Sequence, residues 1–224
     1  MNQKLVDLTH TLSSLIPTWD GNCGFTLTTH TDYKDCTLPD LFRVQSIQMN
    51  AGIGTHIDAP AHCIPDTKTI EQLTLDELVT NCIMIDISTK ADENYLIIPS
   101  DVEQFEKEHG TIPADSFVIF YTGWEKHWHT KEKYINKHNF PAVDISTAKL
   151  LLERNIAGLG IDTLSADTGK NGFGVHQVIL GAGKYLVENI ANASILPATG
   201  SQIGVFPIKI EDGTEAPIRL VGFL

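Results

Sequence analysis

The run Gly54-Thr55-His56-Ile57-Asp58-Ala59-Pro60-Ala61-His62 sets the reading of this chain. It holds two imidazoles and a carboxylate, His56, Asp58 and His62, beside a glycine and a proline that bend the backbone. Neutral imidazole nitrogen and carboxylate oxygen are the usual ligands for zinc and other borderline divalent metals. If His56 to Asp58 is extended, both side chains project to one face, because strand side chains alternate with period two. Ala59-Pro60 then ends the strand, since proline fixes its own φ and has no amide hydrogen for a ladder. That turn could bring His62 back towards the same pocket. For an isolated His-x-Asp the bland alternative is a strand end with a capping aspartate and two surface histidines. The third polar residue and the small, shape-constrained neighbours favour a site.

Composition narrows the rest. A chain of 224 residues suits one substantial domain, 1–224, with a sizeable core. Its 42% hydrophobic and 20% charged content are those of an ordinary globular protein. A formal charge of −12 repels nucleic acid and anionic membrane surfaces at long range, so neither is expected as a partner. Met1 to His10 lacks a basic segment followed by an apolar run, and no apolar stretch approaches the roughly 20 residues that span a bilayer. Cytoplasm is therefore the expected location. Cys23, Cys36, Cys63 and Cys82 show no Cys-x-x-Cys spacing and are expected to be reduced, mostly buried thiols.

No internal repeat or long linker divides the chain. Runs rich in β-branched and aromatic residues, bounded by Gly, Pro, Asp and Asn, predict strands at 4–8, 41–49, 82–87, 116–122, 156–161, 194–196, 203–210 and 218–223. Thr74 with Glu77 and Ser100 with Glu103 fit the capping box, and the second helix should run to His109 and stop at Gly110. A third helix is expected over Ser146–Arg154, where Ala148, Leu151 and Leu152 share a face. The mixture reads as α/β, a central mixed sheet with helices packed on it. Glu125 to Asn139 is charged, with His127, Trp128 and His129 in its middle. Its lysines disfavour a cation, so it reads as a solvated loop or helix, or as a flap that brings Trp124 or Trp128 to a ligand.

A catalytic zinc generally needs three protein ligands and an open position. Further candidates lie in Gly174-Val175-His176 and Val187-Glu188-Asn189. On one straight helix their separation would put them roughly 120° apart. Gly181-Ala182-Gly183 argues instead for two elements whose side chains can converge. Taken alone, His176 could be a core histidine and Glu188 a surface acid.

The run from Gly54 to His62 resembles the signature of the metal-dependent cyclase family, which includes bacterial kynurenine formamidases (arylformamidases) and isatin hydrolase. The resemblance continues in order through Asp7-Leu8-Thr9-His10, Pro17-Thr18-Trp19 and Thr122-Gly123-Trp124. It resumes at Gly160-Ile161-Asp162-Thr163, Val175-His176, Val187-Glu188-Asn189, Pro207-Ile208-Lys209-Ile210 and Pro217-Ile218-Arg219. It thus covers nearly the whole chain. It implies an α/β fold of the swivelling β/β/α type and a homodimer or larger homo-oligomer.

In that family His-x-x-x-His-x-Asp supplies metal ligands. The resemblance carries its second histidine and its aspartate onto His56 and Asp58, and a downstream histidine and glutamate onto His176 and Glu188. It makes His62 the proton shuttle and Trp19 a residue of the substrate pocket. Trp19, with Phe25, would give a flat apolar wall suited to an aromatic or cyclic amide. The chain departs from the pattern at one place: the first histidine should stand at position 52, which is Gly52. The expectation is therefore one divalent metal per chain, zinc or manganese, and not two. The metal would lower the pKa of a bound water from 15.7 towards roughly 7 and polarise a carbonyl. His62 would act as general base and then general acid. The expected activity is hydrolysis of a small-molecule amide, an N-formyl aryl amide or a cyclic amide or lactone. The rival is a degenerate member that binds a metal or small molecule without turnover, and a third reading is a hydrolase that works without metal.

Overall fold

Phe117-Val118-Ile119-Phe120 is apolar at every position, as suits a strand covered on both faces, and it lies at the centre of the molecule. The structure is a computed structural model that describes residues 4–22, 24–169 and 172–224. In chain order it contains β1 (Leu5–Asp7), β2 (Thr26–Thr31), β3 (Val44–Gln48), β4 (His56–Asp58), α1 (Leu75–Leu78), β5 (Val79–Asp86), β6 (Leu96–Ile97) and α2 (Pro99–His109). There follow β7 (Phe117–Tyr121), α3 (Lys131–Ile135), β8 (Ala142–Val143), α4 (Ile145–Glu153), β9 (Gly158–Ile161), α5 (Gly174–Gly181), β10 (Tyr185–Glu188), β11 (Ser201–Pro207) and β12 (Glu215–Phe223).

Eight strands form one sheet in the order β1-β12-β11-β5-β7-β9-β10-β4, and β4 pairs again with β12, so the sheet closes on itself like a barrel. The length of β12 makes closure possible. One edge runs along β11, while the other pairs with β4 at its start (Glu215↔Asp58) and with β1 at its end (Val221↔Asp7). The pairs β5–β7, β7–β9 and β9–β10 are parallel; the other pairings of this sheet are antiparallel.

Strand alternation sorts the core into two faces. Phe117 and Ile119 point inward with Ile57, Val187, Ile203 and Ala216. Val118 and Phe120 point outward against Val102 and Phe105 of α2, Ala148 and Leu151 of α4, and Val175, Ile179 and Leu180 of α5. The inside is tight: a Cβ on Gly160 would lie 2.6 Å from Ile190 and 2.8 Å from the Phe117 ring, so β9 needs glycine there for room. The pairs β2–β3 and β6–β8 stand apart from this sheet.

Seven of the eight expected strands are present with shifted ends, as β1, β3, β5, β7, β9, β11 and β12. The expected strand 194–196 is instead a 3-10 turn, Ala193–Ile195, entered through Asn192 at φ 56°. Its backbone bonds are local, with the Leu196 amide donating to the Ala193 carbonyl at 3.0 Å. Thr74 and Glu77 form the expected capping box, but α1 ends after one turn where the β-branched Val79-Thr80 begin β5. Helix α2 stops at Gly110 (φ 89°) as expected, whereas its start differs. Pro99 opens it, and the Asp101 carboxylate accepts from the Ile98 amide at 2.9 Å in place of a Ser100–Glu103 box. Helix α4 is capped by Asp144, which accepts from the Ser146 amide at 2.8 Å.

The segment 125–139 departs from the solvated reading. Trp124, Trp128 and Tyr134 are buried with Ile16, Phe140 and Leu164, so the aromatics interleaved with its charges form a satellite core. Cys36, Cys63 and Cys82 are free thiols; Cys23 lies outside the described residues. No helix among the described residues is long and apolar enough to cross a membrane.

Candidate metal centre

Because Ile57, Val187 and Ala216 point into the barrel, alternation turns His56, Asp58, Glu188 and Glu215 to the opposite face. The register brings them together. Strand β4 lies between β10, where Glu188 faces His56, and β12, where Glu215 faces Asp58. Helix α5 packs on this face, and its third residue, His176, completes the group. The chain breaks between His176 and Glu188 as expected: α5 ends at Gly181, and Gly183 (φ 75°) turns it into β10.

Each histidine is anchored through Nδ1 and presents Nε2. His56 Nδ1 lies 2.9 Å from the Gly54 carbonyl, which can only accept, so in the neutral ring Nε2 carries the lone pair. His176 Nδ1 lies 2.7 Å from Asp167 Oδ2, the carboxylate–histidine arrangement that orients metal-ligating imidazoles. Asp167 also accepts from the Val175 and His176 amides, which fixes the first turn of α5. The two Nε2 atoms converge on the acids. His56 Nε2 is 3.5 Å from Asp58 Oδ1 and 3.6 Å from Glu188 Oε2. His176 Nε2 is 3.5 Å from Asp58 Oδ2 and 3.4 Å from Glu188 Oε1.

The donor set fits a cation. Asp58 is 1% exposed, and among the described residues neither of its carboxylate oxygens has a hydrogen-bond partner. A buried carboxylate without donors is costly unless a charge compensates it. Glu188 is held in place: its Oε1 accepts from Ser165 Oγ and from the Ala166 amide, both at 2.9 Å. Candidate ligands among the described residues form two groups, His56–Asp58–Glu215 and Asp58–His176–Glu188, each with ligand atoms within 4.8 Å of one another.

The electrostatics follow from this crowding. Burial opposes charge on His176, yet Asp167, Asp58 and Glu188 outweigh it and hold its pKa well above the ordinary value. His56 is raised in the same way, with burial overcome by Asp58 and Glu188. Burial and the Asp58 charge raise Glu188, whereas the histidines outweigh burial at Asp58 and lower it. Without a cation the acids recruit protons onto the imidazoles, and a divalent ion does the same charge balancing without them.

These groups line an open cleft of about 220 Å³, smaller than the usual small-molecule site. The sequence-derived candidates are distributed unequally around it. His62, in the 3-10 turn Pro60–His62, faces the cleft with Nδ1 3.5 Å from Glu215 Oε2; that contact raises its pKa, against partial burial. Trp19 lines the cleft beside Phe173, with ring centroids 6.2 Å apart, and stacks on His138 at 4.1 Å. Phe25 is not in the cleft lining; it packs on the cluster of Ile16, Ile53, Trp124 and Leu164. Trp124 and Trp128 are buried in that cluster and do not line the cleft. Burial pushes the Cys63 thiol up, against a nucleophilic role. Sequence reasoning missed Glu215, Asp167, Ser165 and Phe173. The one signal pointing to Glu215 was the space left by Gly52.

A family model described as Putative cyclase matches residues 6–168. The isatin hydrolase of Roseibium aggregatum is 28% identical over 189 residues, covering 76% of this chain and 71% of that protein. The kynurenine formamidase of Geobacillus thermodenitrificans is 24% identical over 221 residues, covering 98% of this chain and 97% of that protein. In three dimensions, isatin hydrolase A of Ralstonia solanacearum superposes with a TM-score of 0.93 at 28% identity, covering all of this chain and 92% of the other.

Proposed function

The chain belongs to the cyclase family, and on that premise we propose that it is a metal-dependent hydrolase of carbon–nitrogen bonds in small amides. The observation that carries this reading is the convergence of His56, Asp58, His176 and Glu188 on one cleft around a buried carboxylate with no donor among the described residues. These four residues would hold a divalent cation, zinc or manganese. When bound, it supplies a Lewis acid that polarises a carbonyl and makes water acidic enough to ionise near neutral pH.

The protein's own groups do the rest. Gly54 and Asp167 fix the two imidazoles with Nε2 aimed inward, and Ser165 and the Ala166 amide fix Glu188, so little reorganisation is left for the reaction. His62 is the proton carrier. Its Nδ1 faces Glu215, which leaves Nε2 to take a proton from water and return it to the leaving nitrogen. Trp19 and Phe173 form an aromatic wall beside these groups, suited to a flat ring. An N-formyl aryl amide or a lactam fused to an aromatic ring would direct its carbonyl towards the cation position and its ring towards that wall. Phe25 does not line the cleft but packs on the cluster of Ile53 and Leu164, both of which do.

The test is turnover of a panel of N-formyl aryl amines, isatin-like lactams and simple lactones by metal-loaded protein, with Asp58→Asn and a chelated sample as blanks. One class should be hydrolysed, with the activity lost in both blanks. No turnover of any class by protein shown to carry metal would move the assignment to the second reading, a binder without chemistry. Gly52 is the observation that favours that reading.

A further inference from the structure

Position 52 is glycine where the family pattern has a histidine, and the structure shows what fills the space. A Cβ on Gly52 would stand 1.9 Å from Glu215 Oε1 and 2.8 Å from its Cδ. The Glu215 carboxylate therefore occupies the volume into which any side chain at position 52 would grow. Gly52 does not have a left-handed φ, so the backbone does not demand glycine there; the room for Glu215 does. The two residues are complementary: a side chain lost from one loop, and a carboxylate delivered from a strand far along the chain.

We propose that Glu215 is a metal ligand that takes the place of the missing histidine. With His56 and Asp58 it forms a second cation position beside the one formed by Asp58, His176 and Glu188. This rests on the metal-dependent reading above and extends it. Three observations carry it. Glu215 lies directly across the β12–β4 ladder from Asp58, so both side chains leave the sheet on one face. Its ligand atom lies within 4.8 Å of those of His56 and Asp58. Asp58 sits between the two groups with one oxygen towards each histidine, Oδ1 to His56 and Oδ2 to His176, both at 3.5 Å and both oxygens buried without donors among the described residues. A carboxylate placed that way can bridge two ions. The expectation of a single metal assumed that nothing replaced the histidine, and Glu215 is the replacement. The exchange of imidazole for carboxylate adds one negative charge, which suits two divalent cations better than one.

Glu215 also faces His62 Nδ1 at 3.5 Å, so the competing role is that of a positioning residue for His62 alone. Metal stoichiometry separates the two, because a positioning role leaves the metal count unchanged. The full chain is reconstituted with Mn²⁺, freed of excess, and its metal per chain counted by elemental mass spectrometry for wild type, Glu215→Ala and the isosteric Glu215→Gln, with circular dichroism to verify folding. Two ions per chain in wild type and one in either folded variant is the expected result. The double variant Gly52→His with Glu215→Ala should return the count to two. One ion in wild type and one in the variants would overturn the proposal while leaving the metal-dependent reading intact. Two in all three would overturn it as well. No ion in wild type would overturn both.

Discussion

Two regions of this molecule gather histidines, an acid and aromatic rings, and they use them in opposite ways. Around β4, the histidines are tied down through Nδ1 and point Nε2 at Asp58, whose carboxylate has no other partner among the described residues. Around Trp128, His10 lies flat on the indole at 3.8 Å, with Glu125 and His129 lining the same depression. There burial, helped by the nearby His129, lowers the pKa of His10 to about 4. That region holds its imidazole neutral for packing; the β4 region surrounds its imidazoles with charge that asks for a cation. The count of histidines in a segment says little. The orientation of their lone pairs and the presence of an unsatisfied acid separate a ligand set from a stack.

The largest test of this contrast is Asp58→Asn, which removes the carboxylate shared by both ligand groups. Metal content and hydrolysis should both fall to background, while His10→Phe should leave both at the wild-type level. Next in size is His62→Ala. It should lower kcat by about 10²–10⁴-fold with metal content retained, since His62 belongs to neither ligand group. Steady-state kinetics beside elemental analysis would check it; loss of metal would instead make His62 a ligand. Asp167→Asn keeps the shape but weakens the hold on His176 Nδ1, and should reduce metal affinity about 10–100-fold in a competition titration against a chelating dye.

The smallest effect sharpens the other region. His10 has a folded pKa of about 4, below its ordinary 6.5, so the unfolded chain binds the proton more readily. The stability associated with neutral His10 is complete above pH 6.5 and is lost as pH falls towards 4. Between pH 7 and pH 5 the metal-free wild type should lose about 2 kcal/mol more than His10→Phe, measured by urea unfolding. Equal losses would mean that His10 is not held neutral.

Much of the centre was legible because it is local. His56, Asp58 and His62 fall within one short run, whereas His176 in α5 and Glu188 in β10, separated by Gly181-Ala182-Gly183, were singled out as ligands only by the family resemblance. Glu215 and Asp167 were not legible. Glu215 reaches the site only through the pairing of β12 with β4, and Asp167 only by folding back under α5, and neither register nor loop path is written in spacing. Strand β10 is not among the expected strands, because a strand buried on both faces has no alternation to show. The aromatics of 124–139 were hidden by the charges around them, since a mean over a segment does not reveal that Trp124, Trp128 and Tyr134 are buried together.

The most direct test of the central claim is anomalous diffraction from crystals of the manganese-loaded protein, collected near the manganese edge. The account requires an anomalous peak between Asp58 and His176 Nε2, with a second towards Glu215 if that residue is a ligand. A cleft without any peak, or peaks confined to the neighbourhood of His10, His127 and His129, would contradict it.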